Sequence, residues 1–148
     1  EAAHTAKRLG FVPRVALCSY STFGNPPGER AEKVREAVAM LDARDDLDFE
    51  YEGEMSADVA LNPNARRVYP FCRLSGPANI LVMPAIHSAS ISTALMASMG
   101  GATVVGPVLM GLEKSIQIAS FGATVSDIVN LATLAAYDVN QPTYSANS

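Results

Sequence analysis

The sequence is poor in the residues that build disulfide frameworks and metal sites. It has two cysteines and two histidines in 148 residues. Cys18 and Cys72 lack metal-ligand spacing, and two cysteines do not make the disulfide framework of a small secreted domain. His87 has no second histidine or carboxylate at ligand spacing. We therefore expect two reduced structural thiols and no metal in this chain.

Basic clusters and long apolar runs are also missing. The net charge is −4, and there is no basic stripe or lysine-rich tail, so nothing favours nucleic acid as a partner. No apolar run reaches the roughly 18 residues that a membrane helix needs. No signal peptide stands at the start of the sequence. These absences predict a cytoplasmic protein that binds neither nucleic acid nor a membrane.

Charge is scarce in the second half of the chain. A half-domain with so few charges exposes a large apolar patch when it stands alone in water. We expect this half to be covered by a partner subunit, by absent parts of the same polypeptide, or by both. The expected partner is a second copy, giving at least a dimer. The last helix, Val125–Tyr137, is predicted to be covered by a symmetry mate or packed on its own sheet. Residues 77–148 contain four charged side chains: Glu113, Lys114, Asp127 and Asp138.

Short apolar runs alternate with helical patterns along the chain, which predicts an α/β fold with a mostly parallel sheet. The helix at 29–43 has an apolar stripe, and Lys33 and Arg35 are predicted to face water. The first residue is Glu1, not methionine, and the chain starts as a helix, which predicts a fragment or processed product. Strands are predicted at 15–20, 48–53 (at a sheet edge), 80–83, 103–105 and 116–119, and helices at 4–9, 29–43, 57–61, 63–68, from Ser88 or Ser90 to 99, and 124–137.

Ligands of such folds lie beyond the carboxyl ends of the strands. This rule selects three loops: Ser19–Gly28, Pro84–Ser90 and Ser120–Thr124. A phosphate-binding P-loop is excluded, although Gly106 and Gly111 are five residues apart. That motif needs its lysine directly after the second glycine, and Leu112 and Glu113 intervene before Lys114.

Four polar residues near these loops are candidates, and each has a structural alternative. Ser120 follows a predicted strand and can hold a ligand thiol, carbonyl or phosphate. Asp127 fits that site, but Thr124-x-x-Asp127 also fits a helix capping box. His87 faces the same rim, where a histidine is more often a surface hydrogen-bonding group. Lys114 can contact an anion or extend along the surface with its charge in water.

Three stretches carry a family resemblance, and they are Gly106–Lys114, Ser120-x-Gly122 and Ser126–Asn130. Further support comes from Arg14–Gly24, Asp48–Pro63 and Gly76–Pro84. Through these stretches the sequence resembles the phosphate acetyltransferase/butyryltransferase family, and more narrowly the C-terminal transacetylase-like domain of bacterial NADP-dependent malic enzymes. The resemblance covers about residues 8–138, and the chain is expected to be the C-terminal part of that domain over 1–148.

The resemblance implies a three-layer α/β/α sandwich with a ligand cleft between two subdomains. It implies that Asp127 is the base for the thiol of coenzyme A and that Ser120 stabilises the transition state. The family's serine is followed by arginine, whereas Phe121 stands here and cannot neutralise a phosphate or an oxyanion. A second departure is Ile86–Ser90, where the family usually has aspartate, glycine and asparagine. Ser120 and Asp127 are therefore interpreted as vestigial, and the implied ligand contacts are His87, Ser88, Lys114, Ser120 and Phe121.

These expectations favour a non-catalytic regulatory and oligomerisation domain that senses acetyl-CoA. The resemblance implies that the parent protein oxidatively decarboxylates malate to pyruvate, with NADP and Mg²⁺ or Mn²⁺ bound in a catalytic domain outside this chain. Two alternatives remain open. One is an active phosphate acetyltransferase that uses acetyl phosphate and coenzyme A, and the other is a purely structural dimerisation domain.

Overall fold

The structure is a computed structural model that describes residues 1–101, 103–112 and 114–139. Strands and helices alternate along the first part of the chain, and two long helices make up much of the second. The elements are α1 (Ala2–Arg8), β1 (Arg14–Cys18), α2 (Glu29–Asp42), β2 (Glu50–Met55), α3 (Ala57–Leu61), α4 (Pro63–Arg66), β3 (Ile80–Val82), α5 (Ile86–Met99) and α6 (Val125–Val139).

The three strands form one parallel sheet in the order β2-β1-β3. Arg14 pairs with Glu50 at the start of the β1–β2 ladder, and Val15 pairs with Ile80 at the start of the β1–β3 ladder. Parallel neighbours require crossover connections, and the intervening helices supply them. The predicted parallel sheet is confirmed, and β2 lies at an edge as expected.

The sheet is covered on both faces, because successive side chains of β1 point in opposite directions. Val15 and Leu17 pack in one cluster with Ala3 of α1 and Val38 of α2. The other face carries a second cluster, built on Ala16, Cys18, Met55, Val59, Ala60, Leu74 and Ala78. Helices, sheet and a second helical layer therefore form the predicted α/β/α sandwich around a short sheet.

Two predicted strands do not form. Residues 103–105 and 116–119 have no regular secondary structure. Val104, Val105, Ile116 and Ile118 are all exposed. An apolar run becomes a strand only where a neighbouring strand and a covering layer accept it. The part of the chain that the structure describes supplies neither to these segments, so their apolar residues are exposed.

The last two helices differ from expectation in position or burial. α5 begins at Ile86, not at Ser88 or Ser90. Its N-cap is Ala85, which is extended and makes no side-chain cap bond. α6 begins within one residue of the predicted position. Leu131 is its only buried residue, so the helix is not packed on the sheet along its length. Its C-terminal end is held to α1, where Asp138 pairs with Arg8 at 2.5 Å.

Three smaller findings concern the whole chain. Cys18 is buried and Cys72 is half-buried, and both thiols are free. Burial raises the pKa of each thiol, which leaves it protonated and unreactive at neutral pH.

None of the helices in the described ranges is long and apolar enough to cross a membrane.

Candidate functional site

Asp127 caps the start of α6. Its Oδ2 accepts hydrogen bonds from the backbone N–H and the hydroxyl of Thr124, both at 2.8 Å. The N–H of Asp127 in turn donates to the Thr124 hydroxyl at 3.2 Å. These are the reciprocal bonds of a capping box, with the carboxylate at N3. The capping alternative predicted for Thr124-x-x-Asp127 is therefore confirmed.

The same bonds weaken Asp127 as a base. The backbone N–H of Thr124, and then its hydroxyl, lower the pKa of Asp127 below its usual value. Hydrogen bonds to an ionised carboxylate favour that form. An efficient general base has a pKa near the operating pH. Asp127 is thus well placed to stabilise a helix and poorly matched to accepting a thiol proton.

The candidates that precede α6 lie on the surface. Ser120 is exposed, and its backbone carbonyl accepts a hydrogen bond from Ala123 N–H at 3.1 Å in a turn. Phe121 is fully exposed. Lys114 is exposed and forms no ion pair with a residue that the structure describes. No described side-chain hydrogen bond joins these three residues to each other or to Asp127, so they form no preassembled catalytic group.

His87 and Ser88 lie in the first turn of α5, not in a loop as predicted. His87 is exposed and Ser88 is half-buried. The first N–H groups of a helix have no intrahelical partner, and together with the helix dipole they favour a bound anion. Ala85, the N-cap of α5, makes no side-chain bond to these groups, and no other side chain in the described ranges does so. His87 and Ser88 therefore border the uncapped start of a 14-residue helix.

A buried polar cluster that the sequence pattern did not predict lies at the end of β2. Glu54 has no exposed surface. Its Oε1 accepts hydrogen bonds from the Ser21 hydroxyl at 2.8 Å, from Gly24 N–H at 2.7 Å and from Arg35 Nη1 at 3.1 Å. Arg35 was predicted to face water, and it instead reaches inward to this carboxylate. A buried charge needs such partners, because desolvation without them costs several kcal/mol.

A second pair of contacts closes the space beside this cluster. The Thr22 hydroxyl donates to Ser56 Oγ at 3.0 Å and accepts from Ser56 N–H at 2.9 Å. The loop after β1 is therefore fastened to the end of β2. These contacts and the Glu54 cluster join the carboxyl ends of β1 and β2 through side chains.

Signals for the Glu54 cluster were present but weak. The predicted strand at 48–53 ended just before Glu54, whereas β2 continues through Glu54 to Met55. A carboxylate in a strand is buried only when a distant cation reaches it, and a single sequence does not show which cation does so. Arg35 lies 19 residues away, on the helix α2.

A cavity of about 420 Å³ lies at the opposite end of the sheet. Phe11–Pro13 and Asp48–Glu50 line it, together with Lys7. These residues precede β1 and flank the start of β2, so the cavity is at the amino ends of the strands. Lys7 there forms an ion pair with Asp48. None of the sequence-predicted site residues lines this cavity.

Known proteins match the chain over nearly its whole length. The family model for phosphate acetyl/butaryl transferase matches residues 1–136. An NADP-dependent malic enzyme from Rhizobium meliloti (strain 1021) is 66% identical over 138 residues, covering 93% of this chain and 18% of that protein. A phosphate acetyltransferase from Staphylococcus aureus (strain Mu50 / ATCC 700699) is 33% identical over 140 residues, covering 92% of this chain and 43% of that protein.

The fold agrees with these matches. The EutD phosphotransacetylase from Staphylococcus aureus superposes with a TM-score of 0.83 at 33% identity, covering 93% of this chain and 43% of that one. The chain thus spans less than half the length of the relatives it matches. The predicted resemblance to transacetylases, and to the transacetylase-like domain of malic enzymes, is confirmed. The chain belongs to the phosphate acetyl/butaryl transferase family.

Proposed function

We propose that this chain is a non-catalytic regulatory and oligomerisation domain of a larger, malic enzyme-type polypeptide, and that it binds acetyl-CoA. The 66% identity to a protein named as an NADP-dependent malic enzyme supports this assignment. The parent protein would convert malate to pyruvate and CO₂ in the cytoplasm. NADP and the divalent metal would bind in its catalytic domain, outside this chain.

One observation carries the non-catalytic part of the proposal. The carboxylate that the family resemblance implies as the base is engaged in a capping box and has a lowered pKa. Phe121, which follows Ser120 in the chain, is exposed and offers no positive charge to a phosphate. Proton removal and charge stabilisation are therefore both weakened at one site. Loss of a single electrostatic contact of this kind costs about 10²- to 10³-fold in rate.

Binding of acetyl-CoA requires neither the Asp127 base nor a positive charge at position 121. The uncapped start of α5 presents backbone N–H groups that suit a phosphate. His87 and Ser88 add side-chain hydrogen-bonding groups in the same turn. On the other side of the proposed site, Lys114, Ser120 and Phe121 would contact the rest of an acyl-CoA. A regulatory role also requires that acetyl-CoA bind two states of the parent protein with different affinities.

Two measurements on the intact parent protein test the proposal. A coupled assay follows acetyl-CoA formation from acetyl phosphate and coenzyme A, and calorimetry follows acetyl-CoA binding. We expect binding without turnover, together with a change in malate oxidation when acetyl-CoA is added. Binding with no effect on malate oxidation would contradict the regulatory role.

An active phosphate acetyltransferase is the second candidate. The 33% identity to proteins of that name over 92% of the chain favours it. Turnover of acetyl phosphate by the intact protein at rates typical of enzymes would establish it. A purely structural dimerisation domain is the third candidate, and it predicts a stable dimer with no acetyl-CoA binding at any concentration tested.

A further inference from the structure

The cavity at the amino ends of the strands is a largely apolar space that the proposed function does not use. Its volume of about 420 Å³ is within the range of small-molecule sites. Phe11 and Val12, which line it, are 60% and 69% exposed. Pro13 and Phe49 continue the lining and are more buried. A ligand that enters this space therefore removes apolar side chains from water, which favours binding.

Backbone hydrogen bonds fix the position of Phe11 beside the cavity. The helix α1 ends in a Schellman motif. Phe11 N–H donates to the Ala6 carbonyl at 2.9 Å. Gly10 N–H donates to the Lys7 carbonyl, also at 2.9 Å. Gly10 has a φ of 85°, the left-handed conformation that the motif requires and that glycine adopts without strain.

Side-chain contacts hold other parts of the lining. Asn79 Nδ2 donates to the Val12 carbonyl at 2.9 Å, and Asn79 Oδ1 accepts from Arg14 N–H at 2.8 Å. Lys7 Nζ donates to the Asp48 carbonyl at 3.1 Å and also pairs with the Asp48 carboxylate. A site whose walls are already fixed loses little conformational entropy when a ligand binds. The cavity is therefore preorganised.

The charged groups of the lining favour a cationic ligand. They are one ammonium and two carboxylates: Lys7, Asp48 and Glu50. Lys7 pairs with Asp48, so the net charge of the lining is that of Glu50. The Ser75 N–H, and then its hydroxyl, lower the pKa of Glu50 and keep it ionised at neutral pH. Both of these bonds end on Oε2, so Oε1 can still accept a bond from a ligand. Two arginines also act on Glu50, and neither lines the cavity.

Aromatic rings and a carboxylate together recognise an ammonium group on an apolar body. Ring faces attract a cation electrostatically, and a carboxylate accepts hydrogen bonds from its N–H groups. We propose that Phe11, Phe49 and Glu50 bind an amphipathic ammonium compound, whose aromatic or aliphatic body occupies the cavity. None of the residues proposed to contact acetyl-CoA lines this cavity. The site is therefore independent of the proposed function.

Calorimetry on the intact parent protein tests the ligand class with three probes of one shape. Tryptamine, tryptophol and 3-indolepropionate share an indole ring and a two-carbon arm, and they end in an ammonium, a hydroxyl and a carboxylate. We expect tryptamine to bind about fivefold more tightly than tryptophol, as for a cation on exposed aromatic rings. 3-Indolepropionate should bind most weakly. Tightest binding of 3-indolepropionate would overturn the ammonium assignment, and no binding of tryptamine would overturn the site.

Two substitutions at exposed rings locate the binding site. Phe11→Ala should weaken tryptamine binding about tenfold, because the apolar body loses its aromatic contact. Phe71→Ala is the matched control and should leave the affinity unchanged. Phe71 is 63% exposed, as Phe11 is, but it packs on Phe23 in the loop after β1, at the other end of the sheet. Equal effects of the two substitutions would mean nonspecific binding and would overturn the site.

Glu50→Gln tests the charge of the cavity separately from its shape. The substitution keeps the side-chain length and removes the net negative charge of the lining. We expect it to abolish the preference for tryptamine over tryptophol while the affinity for tryptophol stays the same. Tryptophol binding also shows that the variant still forms the cavity. A preference that persists in Glu50→Gln would overturn the role of this carboxylate.

Discussion

Asp127 makes three hydrogen bonds with Thr124 at the start of α6, two through its carboxylate and one through its backbone N–H. Asp127→Ala should therefore lower the free energy of unfolding by about 1 kcal/mol, the usual cost of losing a helix cap. Urea denaturation measures this loss. Ser126→Ala is the control, because Ser126 is exposed on the same turn and belongs to no capping bond. An equal loss in both variants would contradict the capping role.

Breaking the pair of Glu54 and Arg35 should lower the free energy of unfolding more than removing the Asp127 cap does. Arg35→Ala removes the only cation that pairs with Glu54 among the described residues and leaves a buried carboxylate uncompensated. Removing one partner of a buried pair costs about 3 kcal/mol or more. Urea denaturation should show this loss for Arg35→Ala and almost none for Arg30→Ala, an exposed position on the same helix. Unchanged stability in Arg35→Ala would mean that Ser21 and Gly24 suffice for the carboxylate.

At the scale of elements, the segment after α4 is fastened to the edge strand β2 by carboxylates. Glu50 Oε2 accepts from the N–H and the hydroxyl of Ser75, both at 2.9 Å. Glu52 Oε2 accepts from the N–H of Arg73 at 3.0 Å. Two glutamate side chains thus replace the backbone bonds that a fourth strand would make. This part of the fold consequently depends on carboxyl oxygens that accept hydrogen bonds from the segment.

That dependence predicts acid sensitivity. The Ser75 N–H, and then its hydroxyl, lower the pKa of Glu50 below its usual value. A group with a lowered folded-state pKa stabilises the fold fully above its unfolded pKa, near 4.3 for glutamate, and loses that effect as pH falls through the folded value. Urea midpoints measured from pH 6 to pH 3 should fall less steeply in Glu50→Gln than in the wild type. Parallel curves would exclude a contribution from Glu50.

Elements of the first half were predictable from sequence, and those of the second half were less so. The run at Val15 and the stripe of α2 find their partners within the chain, so local pattern and final structure agree. The runs at 103–105 and 116–119 have the composition of strands but pair with no strand among the described residues. The burial of Glu54 was not predicted for a related reason, because its partner, Arg35, lies on a helix distant in the sequence.

For the whole molecule, the exposed apolar residues of α5 predict association. Leu95 and Met96 are each 53% exposed, and α5 contains no buried residue. A helix that is apolar all round is normally buried. Light scattering on the intact protein should therefore show at least a dimer, and Leu95→Glu should shift it toward the monomer. Met40→Glu, at a 72% exposed site on α2, should leave the dimer unchanged.

The two edges of the sheet differ in a way that limits how copies can join. The segment bound to Glu50 and Glu52 shields β2, whereas β3 pairs only with β1 among the described residues. A sheet that is open on both sides can recruit neighbours indefinitely and grow into a ribbon. With the β2 edge shielded, each copy can form one strand pairing with another copy, through its β3 edge. Pairing through β3 would therefore end at two copies and could not propagate into a fibre.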